Sequence, residues 1–272
     1  MKIIRVFPRK TKATPTDENV RINCGPGLWD EADEVHVSVA FTWDLPRAEW
    51  LAKQWAHVAP VKIGGPATGE KGGEFTPGMY LKHGYVITSR GCPNHCWFCS
   101  VPKREGGIRE LPITEGWNVL DDNLLACSDE HITEVLEMLR GRNQLIEFTG
   151  GLEAARLKPW VAHAMRKLRI KQAFFAYDTP DDLEPLQEAG RILVEAGFKV
   201  HPQSHSLRCF VLCGYNGDAI GHAEYRMRET MQAGFTPMAM LWRGDTFTQP
   251  PHWRAFQREW ARPAIIYGRP VN

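Results

Sequence analysis

The chain has 272 residues, 43 % of them apolar, and 33 Lys and Arg against 32 Asp and Glu give a formal net charge of +1. That length suits one large domain or a domain with an appendage, and so balanced a charge neither demands nor excludes nucleic acid, which only a local basic face could hold. No apolar run reaches the ~18 residues of a membrane span, the start MKIIRVFPRK lacks the apolar region of a secretory leader, and seven cysteines without paired spacing do not form a secreted disulfide framework, so the expectation is a cytoplasmic chain with reduced thiols.

In chain order, residues 2–7 (KIIRVF) read as a strand. Residues 8–34 are polar, carry Pro8, Pro15, Gly25, Pro26 and Gly27, and read as a long loop. Residues 35–41 alternate as a strand. Pro46 opens a helix through Trp50, Leu51, Gln54 and Trp55, with Asp44 as candidate cap. Residues 61–66 (VKIGGP) form a strand ending in a glycine turn, so 35–66 is a parallel strand–helix–strand unit. Residues 67–80, rich in Gly and Pro, make a linker or lid.

Tyr85-Val86-Ile87 reads as a buried strand, followed by Thr88-Ser89-Arg90-Gly91 and three cysteines, Cys92, Cys96 and Cys99. Thiolates at such spacing are soft ligands for zinc or an iron–sulfur cluster. A closed zinc site needs a fourth ligand, for which His95 is the local candidate; three buried thiols are the bland alternative.

From Gly84 strands and helices alternate regularly. Strands are expected at 117–120, 145–148, 173–177, 207–212 and 238–242. Between them lie helices capped by Ser128, opened by Pro159, capped by Thr179 and capped by Asp218. Six strands with outer helices suggest an incomplete barrel of parallel strands, with its active site at the C-terminal strand ends. A tail over 246–272 carries Trp253, Phe256 and Trp260 at helical spacing: a lid, or an aromatic surface for nucleic acid.

The spacing Cys92-x3-Cys96-x2-Cys99, with Pro93 and with Phe98 before the third cysteine, resembles the radical S-adenosylmethionine (SAM) enzymes, and the whole pattern looks like compact members carried by phages and bacteria. The resemblance implies a partial (β/α)6 barrel over 81–245, a small N-terminal α/β extension over 1–80 and a helical C-terminal tail over 246–272. It implies that Cys92, Cys96 and Cys99 hold three irons of a [4Fe-4S] cluster whose fourth iron chelates SAM, and that one electron, from a flavodoxin- or ferredoxin-type donor, cleaves SAM to a 5′-deoxyadenosyl radical that abstracts hydrogen from the substrate. Oxygen sensitivity follows. Phe98 would contact the adenine or simply pack. Asp122 and Asn123, at the second strand end, would meet the SAM ammonium in place of the absent Gly-Gly-Glu, or serve helix entry. Gly150, Gly151 and Gly214 would let a cofactor approach bare backbone. Asp178 would take the ribose hydroxyls or start the next helix. Residues 100–106 resemble the segment after the cluster in the methylthiotransferase and cobalamin-dependent branches, where Lys103 and Arg104 could pair with an anion. The 61–66 ending resembles the cobalamin-binding domain of one subfamily, but its Asp-x-His-x-x-Gly signature is missing, so no cobalamin is expected. A methylthiotransferase would need a second cluster near the N-terminus, which offers only Cys24.

Cys209 and Cys213 lie four apart on one strand and share a face; turned inward, either could act as a catalytic, radical-quenching thiol, and turned outward both are small buried hydrophobes. The stretch 154–171, with Arg156, Lys158, Arg166, Lys167, Arg169 and Lys171, is a phosphate-binding face or the wet side of a helix. His201 and His205 flank the fifth strand as structural or substrate-facing residues. The substrate class left open is a small molecule, nucleotide or nucleic-acid base. A nucleic-acid-binding module with a structural metal is the competing function.

Overall fold

The computed structural model describes residues 1–243 and 250–268. Its first unit is a four-stranded parallel sheet of β1 (Ile3–Phe7), β2 (Val20–Ile22), β3 (Glu34–Ser38) and β4 (Val61–Gly64), in the order β2-β1-β3-β4. Val35, Val37 and Val39 alternate inward and meet Ala48, Leu51 and Trp55 of α1 (Leu45–Trp55) in one apolar cluster. β2 lies inside the expected loop. Three residues with no fully buried side chain leave no periodic signal, and only the neighbouring β1 edge makes them a strand. Asp44 is not a side-chain cap; its carboxylate accepts two hydrogen bonds from Arg9, each 2.8 Å.

The second unit is a six-stranded parallel sheet. Its strands are β5 (Tyr85–Val86), β8 (Asn118–Val119), β9 (Ile146–Leu152), β10 (Ile170–Tyr177), β11 (Leu207–Cys213) and β12 (Thr236–Leu241), side by side in chain order. A separate antiparallel pair, β6 (Ser89–Arg90) with β7 (Arg109–Glu110), brackets the cysteine loop and the short α2 (Val101–Glu105). Neighbouring parallel strands joined through helices take right-handed crossovers, which puts every helix on one face. Those helices are α3 (Asp129–Arg140), α4 (Pro159–Arg166), α5 (Leu183–Glu195) and α6 (Ile220–Gln232). Leu207, Cys209, Val211 and Cys213 of β11 are buried in the cluster that includes Ala223, Met227 and Met231 of α6. Arg208 and Phe210, between them, point to the other face and stay half-exposed.

Local chemistry sets the helix ends. The Ser128 hydroxyl accepts from the His131 amide at 3.2 Å, and Gly141 follows α3. Thr179 and Asp182 form a capping box ahead of α5. Asp218 does not cap α6; it accepts from the Gly214 amide at 2.8 Å and from Arg226 at 2.8 Å. In α7 (Pro251–Trp260), the aromatics Trp253, Phe256 and Trp260 are all buried, and Gln257 donates to the Ala239 carbonyl at 3.5 Å, so the helix covers the β12 edge. That removes the aromatic nucleic-acid surface. α8 (Pro263–Ile266) follows, and the expected boundary at 245–246 lies outside the described residues. Among the described residues no helix is long and apolar enough to cross a membrane.

Candidate functional site

The cysteine loop is held by backbone that tolerates no alternative. Gly91 has φ +86°, and a side chain there would stand 2.2 Å from the Gly107 carbonyl oxygen. The Cys92 amide donates to Gly106 O at 3.1 Å and the Cys99 amide to Cys96 O at 3.1 Å. All three cysteines are free; Cys92 and Cys99 are half-buried and Cys96 is exposed. Burial first, then the neighbouring cysteines, push the Cys96 thiol above its ordinary range; burial also raises Cys99 against the lowering effect of the Val101 amide. Among the described residues no three His, Cys, Asp or Glu side chains converge on a single ion.

The end of β8 buttresses this loop. Asp121 is buried and accepts from the Thr88 amide (2.6 Å), the Thr88 hydroxyl (2.6 Å) and the Ser89 hydroxyl (2.8 Å). Asp122 accepts from the Gly91 amide at 2.9 Å and pairs with Arg104 at 3.6 Å, while burial raises its carboxyl. The Asn123 amide lies 3.4 Å from Cys92 Sγ and 2.6 Å from Glu153 Oε2, and its carbonyl oxygen is buried without a partner. Gly150, in β9, is compulsory: a Cβ would stand 2.1 Å from Asp121 O, whereas Gly151 has room. Asp178 ends β10. Burial, then Asp182, raise its carboxyl to about 7, and Asp182 rather than Asp178 completes the cap of the next helix.

Phe98 packs edge-on against Trp97 (5.4 Å, 88°), and Trp97 in turn meets Tyr215 at 5.7 Å and Trp242 at 5.9 Å. Trp97 is 58 % exposed, so this aromatic wall opens to solvent beside the thiols. Sequence reasoning missed Trp97, Tyr215, Trp242, Asp121 and Glu153. The signal was present: Trp97 sits between two singled-out residues, Trp242 directly follows β12, and Tyr215 comes two residues after β11.

Three expectations need correction. Cys209 and Cys213 face the helices, not the open side: both are fully buried, Cys209 meets Thr230 of α6, and desolvation holds Cys213 near 12, so neither thiol is poised to act. Gly214 does not offer bare backbone to a ligand; with φ +74°, its missing side chain would strike Leu241 at 2.5 Å and Trp253 at 3.2 Å. In the basic stretch 154–171, Arg156, Lys158 and Lys171 pair with Glu153, Asp129 and Glu147, and Arg166 and Arg169 donate to carbonyls, so five of its six basic side chains are engaged within the protein and the stretch reads as the wet side of a helix.

This parallel sheet, with helices packed against it and three thiols on the loop after its first strand, belongs to a chain that shares the fold of a radical SAM methyltransferase. It superposes on the radical SAM methyltransferase TsrM from Kitasatospora setae with cobalamin and a [4Fe-4S] cluster bound: TM-score 0.63, 11 % identity, 88 % of this chain and 74 % of that one. A second TsrM structure, with tryptophan substrate and the SAM analogue aza-SAM, gives TM-score 0.60 and 11 % identity over 88 % and 72 % of the two chains. No family model and no curated protein matches the sequence. The likeness overturns the expectation that cobalamin is absent. It covers more than residues 81–272 could supply, so it reaches the N-terminal sheet, and the TsrM structure carries cobalamin.

Proposed function

We propose that the chain is a radical SAM enzyme, built as a partial (β/α)6 barrel with an accessory lobe before residue 81, in which Cys92, Cys96 and Cys99 hold a [4Fe-4S] cluster. The observation that carries this is the three-thiol loop at the C-terminal strand ends of a sheet with that superfamily's fold. The donor set fits. Three free thiols on one short loop are soft donors suited to an iron–sulfur cluster, each able to take its own iron. When bound, cluster and SAM supply a carbon-centred radical; the protein supplies position and exclusion.

In this reading Asn123 donates to the Cys92 sulfur and is oriented by Glu153. Asp122 and the unpartnered Asn123 oxygen are acceptors for an ammonium, and Asp178 is a polar contact on the next strand but one. Trp97, Phe98, Tyr215 and Trp242 line one side of the loop and offer faces for a planar ring. A small substrate with an aromatic ring, a nucleotide base included, suits that wall better than a nucleic-acid strand does. A flavodoxin- or ferredoxin-type donor in the cytoplasm would deliver the electron. Anaerobic reconstitution with iron and sulfide, then dithionite and SAM, is expected to give 5′-deoxyadenosine from the wild type and none from Cys96→Ala. No product from a fully loaded wild type overturns the reading.

Methyl transfer is the second reading, favoured by the likeness that extends over the N-terminal sheet. Gly64, Gly69 and Gly73, at and beyond the end of β4, have open space where a side chain would stand, so a ligand can come close to bare backbone there. Retention of hydroxocobalamin through desalting supports methyl transfer; complete loss leaves hydrogen abstraction.

A further inference from the structure

At the opposite end of the same strands lies a group of polar side chains that the cluster chemistry does not use. Arg208, the second residue of β11, points away from the helices, and its guanidinium lies 5.0 Å over the Phe174 ring. Its Nε and Nη2 are buried and have no hydrogen-bond partner. Those two atoms form one edge of the guanidinium fork, the edge that receives two oxygens of a carboxylate or phosphate. His201, just before β11, is 6 % exposed, and both its ring nitrogens are also without partners. His205 links the two: its ring stands 5.8 Å from His201, stacks on Tyr267 and lies 3.3 Å from the Thr236 hydroxyl, and Thr236 is the β12 partner of Arg208. Among the described residues no carboxylate pairs with Arg208, His201 or His205.

A guanidinium edge that is desolvated without a counter-ion is costly, and native proteins pair such charges. Each buried unsatisfied polar atom asks for a ligand or an explanation, and here four of them belong to two residues joined through His205. We propose that Arg208 and His201, with His205, form a binding site for a small oxyanion, a phosphate or a carboxylate, at the N-terminal end of the sheet's open face. Burial depresses both histidines and the arginine, the direction expected where the compensating negative charge is missing. Above the guanidinium, Phe174 stacks on Phe210 at 4.3 Å. An anion carried on an aromatic body would therefore find a second surface, whereas free phosphate would use the polar side chains alone.

The site stands apart from the cysteine loop and is tested on the chain without iron. Thermal unfolding is followed against millimolar inorganic phosphate and, separately, phenyl phosphate, each with chloride at matched ionic strength as control. Saturable stabilisation is expected, a rise in Tm of about 2–4 °C for each kcal/mol of linkage. A larger rise with phenyl phosphate assigns the site to a substrate-borne anion; an equal or larger rise with inorganic phosphate assigns it to the free ion. Arg208→Met is expected to abolish the rise while matching or exceeding the wild-type Tm in chloride, since it removes an uncompensated charge. Should that variant fail to fold, His201→Gln is expected to weaken the response at least tenfold in apparent affinity. No saturable shift in the wild type, or the same shift in the variants, overturns the proposal.

Discussion

Asn123 ties the fold of the cysteine loop to the proposed chemistry. Its amide lies against the Cys92 sulfur at 3.4 Å and is fixed by Glu153. Hydrogen bonds to cluster sulfurs help set reduction potential, and by withdrawing charge from the thiolate they favour the reduced cluster. Asn123→Leu is expected to lower the potential of the reconstituted protein in an EPR-monitored redox titration, with iron content unchanged; an unmoved potential refutes the contact. Asp178 gives a pH dependence. Its folded carboxyl titrates at about 7, against an ordinary 3.8, because burial disfavours the charged form. A raised folded value means that the contribution is complete below pH ~4 and is lost as pH rises through 7, at most about 4 kcal/mol by linkage. Urea unfolding of the iron-free chain at pH 5 and pH 8 measures it, and Asp178→Asn is expected to remove that component of the slope while other carboxylates keep theirs.

At the scale of elements, what the sequence revealed and what it hid have separate causes. Long periodic segments declared themselves: α3 through Ser128, Ile132, Val135, Leu136 and Leu139, and β10 through its run to Tyr177. Asp44 and Asp218 look like caps by position, but tertiary partners, Arg9 and Arg226, claim their carboxylates. Facing was the hardest property to read. Cys209 and Cys213 were rightly placed on one face, but only the packing of α6 decides which face that is. The cysteine loop was visible because its spacing is local, whereas Glu153 and the aromatic wall come together only when four strand ends meet. Close approaches of elements are equally invisible in the sequence. Gly190 of α5 lets α6 end against it, since a Cβ there would stand 2.1 Å from Ala233 O. Gly190→Ala is therefore expected to cost about 1–3 kcal/mol, read as a drop in Tm. For α7, whose Trp260 is 1 % exposed, Trp260→Ala is expected to cost about 3–5 kcal/mol; a smaller loss would mean that the helix is only loosely seated on β12.

For the whole molecule, the question is what fixes the N-terminal lobe to the cysteine loop, because the proposed function needs the two to keep register. Glu105 is the join. Its buried carboxylate accepts from the Gly72 amide (3.2 and 3.1 Å), Arg104 (2.9 Å) and Arg109 (3.1 Å), with Arg90 at 3.9 Å. Arg104 reaches on to the Pro66 carbonyl at 3.4 Å and to Asp122 at 3.6 Å. One carboxylate thus connects the linker after β4, the helix after the cysteines and the end of β8. The cations outweigh the burial that would raise it, and its carboxyl sits below the ordinary range. Glu105→Gln leaves three guanidinium groups without their shared anion, a loss of about 3–5 kcal/mol for a broken buried pair. Because the two apolar clusters do not include these residues, the damage should be confined to the join. Limited proteolysis is expected to cut within 67–80 faster than in the wild type, and iron per chain after reconstitution is expected to fall, while far-ultraviolet circular dichroism stays unchanged. Wild-type protease resistance together with full iron retention would show that the lobes are held by something other than this carboxylate.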